Sequence, residues 1–333
     1  GHGPLDVEGL FGRGDRAERV EEFSPELPGL IERQQEILRL PAPPEIELVG
    51  QCSSYYGCPV HDELRASLPQ GNVFELYKGK RKAADLYQAG IKELSLIPSS
   101  EKLNDKQSIQ VEAARTDQPY VDNERLKEWL DSLEYPIHYL DFETLQFAIP
   151  QYEGTRPYQQ VPFQWSLHVQ REDGGVEHKE FLADGADDPR PEFTNALKEA
   201  LEDKGSIVVY HQSFEQRRLE ELAQARPDHE GWIRDAISRM RDLLVPFRNF
   251  WYHSPKQRGS CSLKDTLPAL TGKDYSGLQV QDGGAAQREF MRVMFEEGIP
   301  EEEKKKVREY LLEYCGLDTE AMVWMVDALR ELL

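Results

Sequence analysis

The chain has 333 residues, 39% apolar and 30% charged: long enough for one large domain or two smaller ones, and too apolar for a disordered polymer. No apolar run approaches the ~20 residues of a membrane span, and the opening GHGPLDVEGLF lacks the basic-then-apolar order of a secretory signal, so a cytoplasmic protein with no membrane partner is expected. The formal charge of −21 argues against tight nonspecific binding of nucleic acid, while permitting a local basic rim around an acidic cleft.

Residues 14–40 predict a helix, with Leu27, Leu30, Ile31, Ile37, Leu38 and Leu40 at loosely helical spacing, and PAPPEIE (41–47) breaks it. ELVGQCSSYYGCPVHDEL then reads as a short strand and a turn-rich cysteine loop. Residues 75–92 predict a second helix carrying the most basic run of the chain, KGKRKAADLY (78–87). The polar stretch 99–122 lacks periodicity and reads as a linker. Cys52, Cys58, Cys261 and Cys315 are too few for a disulfide framework.

From 137 the pattern changes. IHYLDFET, FQWSLHVQ (163–170) and HKEFLAD (178–184) have strand character, a helix follows over about 191–203, and SIVVYH (206–211) is the clearest buried strand. Helices are expected at about 213–225, 229–240, 262–271 and 285–297, and over about 301–333. Three strands, a helix, a strand and then helices is the element order of an RNase-H-like mixed sheet, three antiparallel strands followed by parallel ones and flanked by helices. The domains expected are a mainly helical N-terminal extension with its linker over 1–122 and the mixed-sheet domain over 130–333.

Three acidic motifs carry the functional reading. Asp141 and Glu143 in HYLDFET lie two apart, so on a strand they share one face and Phe142 takes the other. A carboxylate pair in a strand is costly to bury unless a cation neutralises it, which suggests ligands for a hard divalent ion; the alternative is an edge strand with two solvated acids. Glu215 in YHQSFEQRRLEEL falls in the first turn of a helix that follows the core strand, with Ser213 as expected cap and Gln216 as its capping-box partner. It either joins the site or only complements the helix dipole. Tyr314 and Asp318 in YLLEYCGLDTEAM are four apart and share a helical face, and Gly316 between them admits close approach of a neighbouring backbone or strand.

In this order the motifs resemble the DEDDy class of 3′→5′ exonucleases. LDFET, YHQSFE, GSCSLKDTLPAL and YCGLDTEAM together are similar to an uncharacterised bacterial domain-of-unknown-function family, in which the exonuclease-like domain follows an iron–sulfur nuclease of the CRISPR-adaptation type. The second motif departs from the superfamily pattern, with Glu215 where Asp is usual and His211 where Asn is usual. The resemblance implies that Asp141, Glu143, Glu215 and Asp318 hold two Mg²⁺ or Mn²⁺ ions ~4 Å apart, with Tyr314 orienting or helping to deprotonate the attacking water. The substrates implied are single-stranded DNA or RNA, or short oligonucleotides, cut to nucleoside 5′-monophosphates. Phe142, His211 and Lys264 are candidate substrate contacts, although an aromatic on a strand is more often core. A silent nucleic-acid-binding module of the same fold is the alternative of a different class.

GQCSSYYGCPVHDEL resembles the C-terminal cysteine cluster of those iron–sulfur nucleases, but Leu64 occupies the third cysteine position. Cys52, Cys58 and His61 offer three ligands where a structural zinc site wants four, so a decayed nuclease remnant is expected there.

Overall fold

The computed structural model describes residues 8–9, 12, 14–42, 68–280 and 282–333. The chain divides into two compact units, Gly1–Leu64 and Arg65–Leu333. In the first, the helix expected over 14–40 is two helices, Ala17–Phe23 and Leu27–Leu38, joined by the 3-10 turn Ser24–Glu26. Cys52, Cys58, His61 and Leu64 lie outside the described residues.

The second unit is a mixed α/β structure around a five-stranded sheet. Its strands are β1 (Ile137–Leu145), β2 (Val161–Gln170), β3 (Val176–Leu182), β4 (Ile207–Val209) and β5 (Met240–Asp242), in the spatial order β3-β2-β1-β4-β5. The first three pair antiparallel; β4 and β5 run parallel to β1. The helices that matter to the site are α1 (Arg190–Ala200), α2 (Ser213–Ala225), α3 (Leu263–Thr271), α4 (Gly283–Phe295) and α5 (Glu301–Glu331).

The central strand β1 is covered on both faces and is almost continuously buried, polar residues included. Leu140 and Phe142 pack with Trp165, Leu167 and Val169 against Phe193 and Leu197 of α1 and Leu219 and Leu222 of α2. On the opposite face Tyr139 and Phe163 meet Phe290 of α4 and Leu311, Met322 and Met325 of α5. The polar residues of β2 also have a purpose there. Gln164 donates to the Leu311 carbonyl (2.7 Å), Ser166 and His168 pair with the Thr319 hydroxyl (2.7 and 2.8 Å), and Gln170 donates to Asp327 (3.0 Å). The long helix is thus held in register on the sheet by side-chain hydrogen bonds as well as by apolar burial. The strand expected to approach Gly316 is β3, whose His178 ring lies 3.6 Å from where a Cβ would stand.

The stretch expected as a linker contains a helix, Asp105–Thr116, opened by a capping box between Asn104 and Gln107. Apolar periodicity missed it because two of its four buried residues, Gln107 and Gln110, are amides. Gln110 donates to the Glu75 carbonyl (2.7 Å) and accepts from the Tyr77 N–H (2.6 Å). Gly259 fixes the same junction: at φ 75° its Cβ would stand 1.8 Å from the Glu75 carbonyl oxygen, so only glycine fits. The preceding helix, Lys80–Gln88, is shorter than the expected 75–92. No helix among the described residues is long and apolar enough to cross a membrane.

Candidate metal centre

Asp141 and Glu143 project from the face of β1 that carries α4 and α5, and α5 brings Asp318 to them. Ligand atoms of these three residues lie within 4.8 Å of one another. Glu215, in the first turn of α2 just beyond β4, lines the same cleft of about 340 Å³, together with His211, Lys264 and Tyr314. Glu215 is 2% exposed, and its Oε2 has no hydrogen-bond partner among the described residues. The cleft opens at the carboxyl ends of the parallel strands, where sheet-based folds commonly place their ligands.

The electrostatics are those of crowded anions. Burial, and then the Asp318 charge, pushes Asp141 well above the usual carboxylate range. Burial followed by Asp141 does the same to Glu143 and to Glu215, which makes Asp141 the neighbour that both share. Burial lifts Asp318 to about 6, against the pull of hydrogen bonds from Tyr275 and Tyr314 and of the Lys264 charge. A buried carboxylate group of this kind, with one oxygen left unpaired, fits a hard divalent cation that takes oxygen ligands. The residues present fit such an ion.

The other expected contacts divide. Lys264 sits over the rings of Tyr314 (5.3 Å) and Tyr275 (5.7 Å), a cation placed against the acids and not an ordinary surface lysine. His211 is exposed at the cleft in the left-handed region, φ 77°, and its N–H donates to Asp242 (3.0 Å). His tolerates that backbone better than most residues do. Phe142 is the correction. It borders the cleft, yet it is buried with its ring edge-to-face on Phe193 (5.2 Å), so it offers no stacking surface to a base. Ser213 does not cap α2 either; Gln212 holds the cap position and no side-chain cap bond forms. Burial, and then the Asp318 charge, pushes the Tyr314 hydroxyl well above its ordinary value, so it stands in the cleft as a neutral phenol.

Three neighbours of the acids went unread in the sequence. Tyr275 donates a 2.6 Å hydrogen bond to Asp318 from a loop after α3. Cys315, one turn of α5 before Thr319, places its thiol 3.7 Å from an Asp141 carboxylate oxygen. Gly283, opening α4, lets that helix's N-terminal end approach Glu143, whose Oε2 would lie 3.2 Å from a Cβ there. Each reaches the acids across the fold, and only the glycine left a trace in the sequence, as the pair Gly283–Gly284 before a helix.

A protein family described as Domain of unknown function (DUF2779) matches residues 138–262, a span that holds Asp141, Glu143 and Glu215. The chain is similar to the Uncharacterized protein MG366 homolog of Mycoplasma pneumoniae, 27% identical over 205 residues that make up 56% of this chain and 31% of that protein. It is likewise similar to the Uncharacterized protein MG366 of Mycoplasma genitalium, 24% identical over 68% of this chain and 37% of that protein. The Uncharacterized protein UU173 of Ureaplasma parvum is 26% identical over 59% of this chain and 31% of its own length. The chain therefore spans about a third of the length of the curated relatives it matches. No solved structure matches it. The expected likeness to a bacterial domain of unknown function holds at that level.

Proposed function

We propose that the second unit is an RNase-H-like, metal-dependent 3′→5′ exonuclease that hydrolyses phosphodiester bonds of single-stranded nucleic acid. The observation that carries this is the convergence of Asp141, Glu143 and Asp318 within 4.8 Å, with the unpaired oxygen of Glu215 in the same cleft. The strand order, with three antiparallel strands and then two parallel ones beside β1, supports the fold assignment.

Asp141, Glu143 and Asp318 would hold one Mg²⁺ or Mn²⁺, and Asp141 with Glu215 a second. Such ions make water a nucleophile near neutral pH and stabilise charge on the leaving 3′ oxygen. The chain's own groups do the positioning. Tyr275 fixes the Asp318 carboxylate through its hydroxyl, and the Cys315 thiol rests against Asp141. Tyr314 presents a protonated phenol to the attacking water. Lys264 offsets part of the anionic charge that a phosphodiester meets on entry.

The test is a 5′-labelled strand, DNA or RNA, incubated with Mn²⁺, Mg²⁺ or EDTA, beside the Asp141→Ala protein. A ladder shortening from the 3′ end, absent with EDTA and in the variant, is the expected result. No product from polymers or dinucleotides, despite Mn²⁺ binding, would leave a silent module of the same fold. The net charge of −21 favours a second reading, in which short oligonucleotides are the substrate because they need little basic surface. Relative rates on dinucleotides and 20-mers separate the two.

A further inference from the structure

The basic run at 78–82 has no part in the acid cleft, yet the fold joins it, through Tyr77 and Phe250, to the segment that holds Arg248 and Asp242. Lys78 Nζ lies 5.4 Å from the centre of the Tyr77 ring, and Lys106 Nζ lies 5.7 Å from the same ring and 6.0 Å from that of Phe250. Tyr77 and Phe250 are themselves packed edge-to-face, 4.9 Å apart. Rings hold these ammonium groups in place without neutralising them, so their charge remains available to an outside anion. Lys106 is further fixed by a 2.7 Å bond to the Arg248 carbonyl. Among the described residues no carboxylate pairs with Lys78, Lys80 or Lys106, whereas Lys82 is taken by Glu101 at 2.8 Å.

Two links tie this patch to the cleft. Cys261, whose thiol donates to the Phe247 carbonyl beside Arg248 (3.6 Å), lies within reach of the charges of Lys106, Arg248 and Lys78. The Cys261 carbonyl accepts the hydroxyl of Tyr210 (2.7 Å), and Tyr210 lines the cleft. Arg248 also stands 3.6 Å from Asp242, which accepts the His211 N–H at the cleft mouth. The backbone of the patch is strained as well: Lys78 and Lys80 have φ of 52° and 35° around Gly79, whose Cβ would meet Leu76 at 2.8 Å. Left-handed lysines are strained and persist where surrounding packing enforces them.

We infer that Lys78, Lys80, Lys106 and Arg248 form the surface that holds the phosphate backbone of a single-stranded nucleic acid as its 3′ end enters the cleft. The assignment deepens the exonuclease reading and rests on it for the direction of the strand. It explains how a chain of charge −21 handles a polyanion: the repulsive surface is interrupted beside the site. It also favours polymers over dinucleotides, because only a longer strand reaches both the patch and the acids.

The experiment measures fluorescence anisotropy of labelled DNA and RNA 20-mers in EDTA, where no hydrolysis can occur, across a salt series. Wild type is compared with Lys78→Asn/Lys80→Asn, chosen because Asn tolerates the left-handed backbone, with Lys106→Gln, and with the distant control Lys305→Gln. The expected result is at least tenfold weaker binding by the double variant, with the log–log salt slope smaller by about 0.7 for each phosphate that is no longer neutralised. Lys106→Gln should weaken binding less, and Lys305→Gln not at all. Dinucleotide hydrolysis with Mn²⁺, measured separately, should be unchanged in the double variant. Equal affinities and equal slopes for wild type and the double variant, with both folded by thermal melt, overturn the inference, as does a wild type that binds no 20-mer. If no substrate is hydrolysed but 20-mer binding still depends on the lysines, the exonuclease reading fails and the surface stands.

Discussion

The two faces of strand β1 are built from alternate residues of one nine-residue segment and have opposite tasks. Leu140 and Phe142 face an apolar layer in which every neighbour adds stability. Asp141 and Glu143, interleaved with them, stand beside Asp318, with burial working against all three acids and like-charge repulsion against Asp141 and Glu143. The same period of two therefore places a wholly apolar face back to back with one whose apolar packing is interrupted by acids. The acid cluster is tolerated because apolar packing surrounds it, through Tyr139 and Leu145 on its own face and through Leu140 and Phe142 on the other. Substitutions on the two faces should consequently move activity and stability in opposite directions.

The largest effect is expected on the acid face. Asp141→Asn should lower hydrolysis at least about a thousandfold, equivalent to ~4 kcal/mol of lost transition-state stabilisation. The same change relieves a buried like-charge contact, so the ion-free protein should melt higher, by about 2–4 °C for each kcal/mol relieved. Thermal melts in EDTA and rates in Mn²⁺ give the two readings, and a variant that is both inactive and less stable breaks the contrast. Next is Phe142→Ala on the apolar face, which should cost about 3–5 kcal/mol of stability while leaving the rate per folded molecule near wild type. Denaturant titration together with an active-fraction assay decides it; a specific loss of substrate affinity would restore Phe142 as a substrate contact.

That contrast was only half visible in the sequence. The spacing of Asp141, Phe142 and Glu143 predicts which side chains share a face, and the i,i+4 spacing of Tyr314 and Asp318 predicts their common side of a helix. Such local periodicities survive folding because the backbone alone determines them. The interior of the strand could not be judged: with both faces covered, β1 shows neither clean alternation nor an obvious edge. Tyr275 and Cys315 were invisible for another reason. They reach the acids from a loop and from an apolar helix face, and no spacing rule connects either to Asp141. The helix Asp105–Thr116 was missed because its buried contacts run through glutamine amides, which hydropathy counts as solvent-facing.

Tyr275→Phe tests the same comparison at finer grain, since it removes a support of the acid face while leaving all three carboxylates in place. Losing the 2.6 Å bond to Asp318 should weaken Mn²⁺ affinity about 10–100-fold, the usual cost of deleting a group that orients a ligand. Calorimetric titration of Mn²⁺ reads this directly. Unchanged affinity would mean that Asp318 is fixed by Tyr314 and the helix alone.

The smallest effect lies in the pH dependence of stability, where buried histidines and buried acids pull in opposite senses. His138 is lowered to about 4 by burial, with one ring nitrogen on the Ser206 carbonyl and the other, Nε2, buried without a partner among the described residues. Its folded value lies below the ordinary 6.5, so its contribution is complete above 6.5 and is lost as pH falls through about 4. Asp318 runs the other way. Its folded value of about 6 lies above the ordinary 3.8, so its contribution is complete below 3.8 and is lost as pH rises through about 6. His168 and His253, likewise lowered to about 4 by burial, join the first limb, and Asp141, Glu143 and Glu215, raised by burial, join the second, so without a divalent ion the two limbs partly cancel. Saturating Mn²⁺ keeps the acids ionised in the fold, and acid must then displace the ion as well, so the fall in stability on acidification should steepen. His138→Gln removes one proton from the balance and should flatten that fall by at most about 1.4 kcal/mol per pH unit. Melts from pH 4 to 7, with and without Mn²⁺, supply the four curves. If His138→Gln overlays wild type in both conditions, His138 is already protonated in the fold. If Mn²⁺ leaves the slope unchanged, the acid face does not carry the repulsion assigned to it.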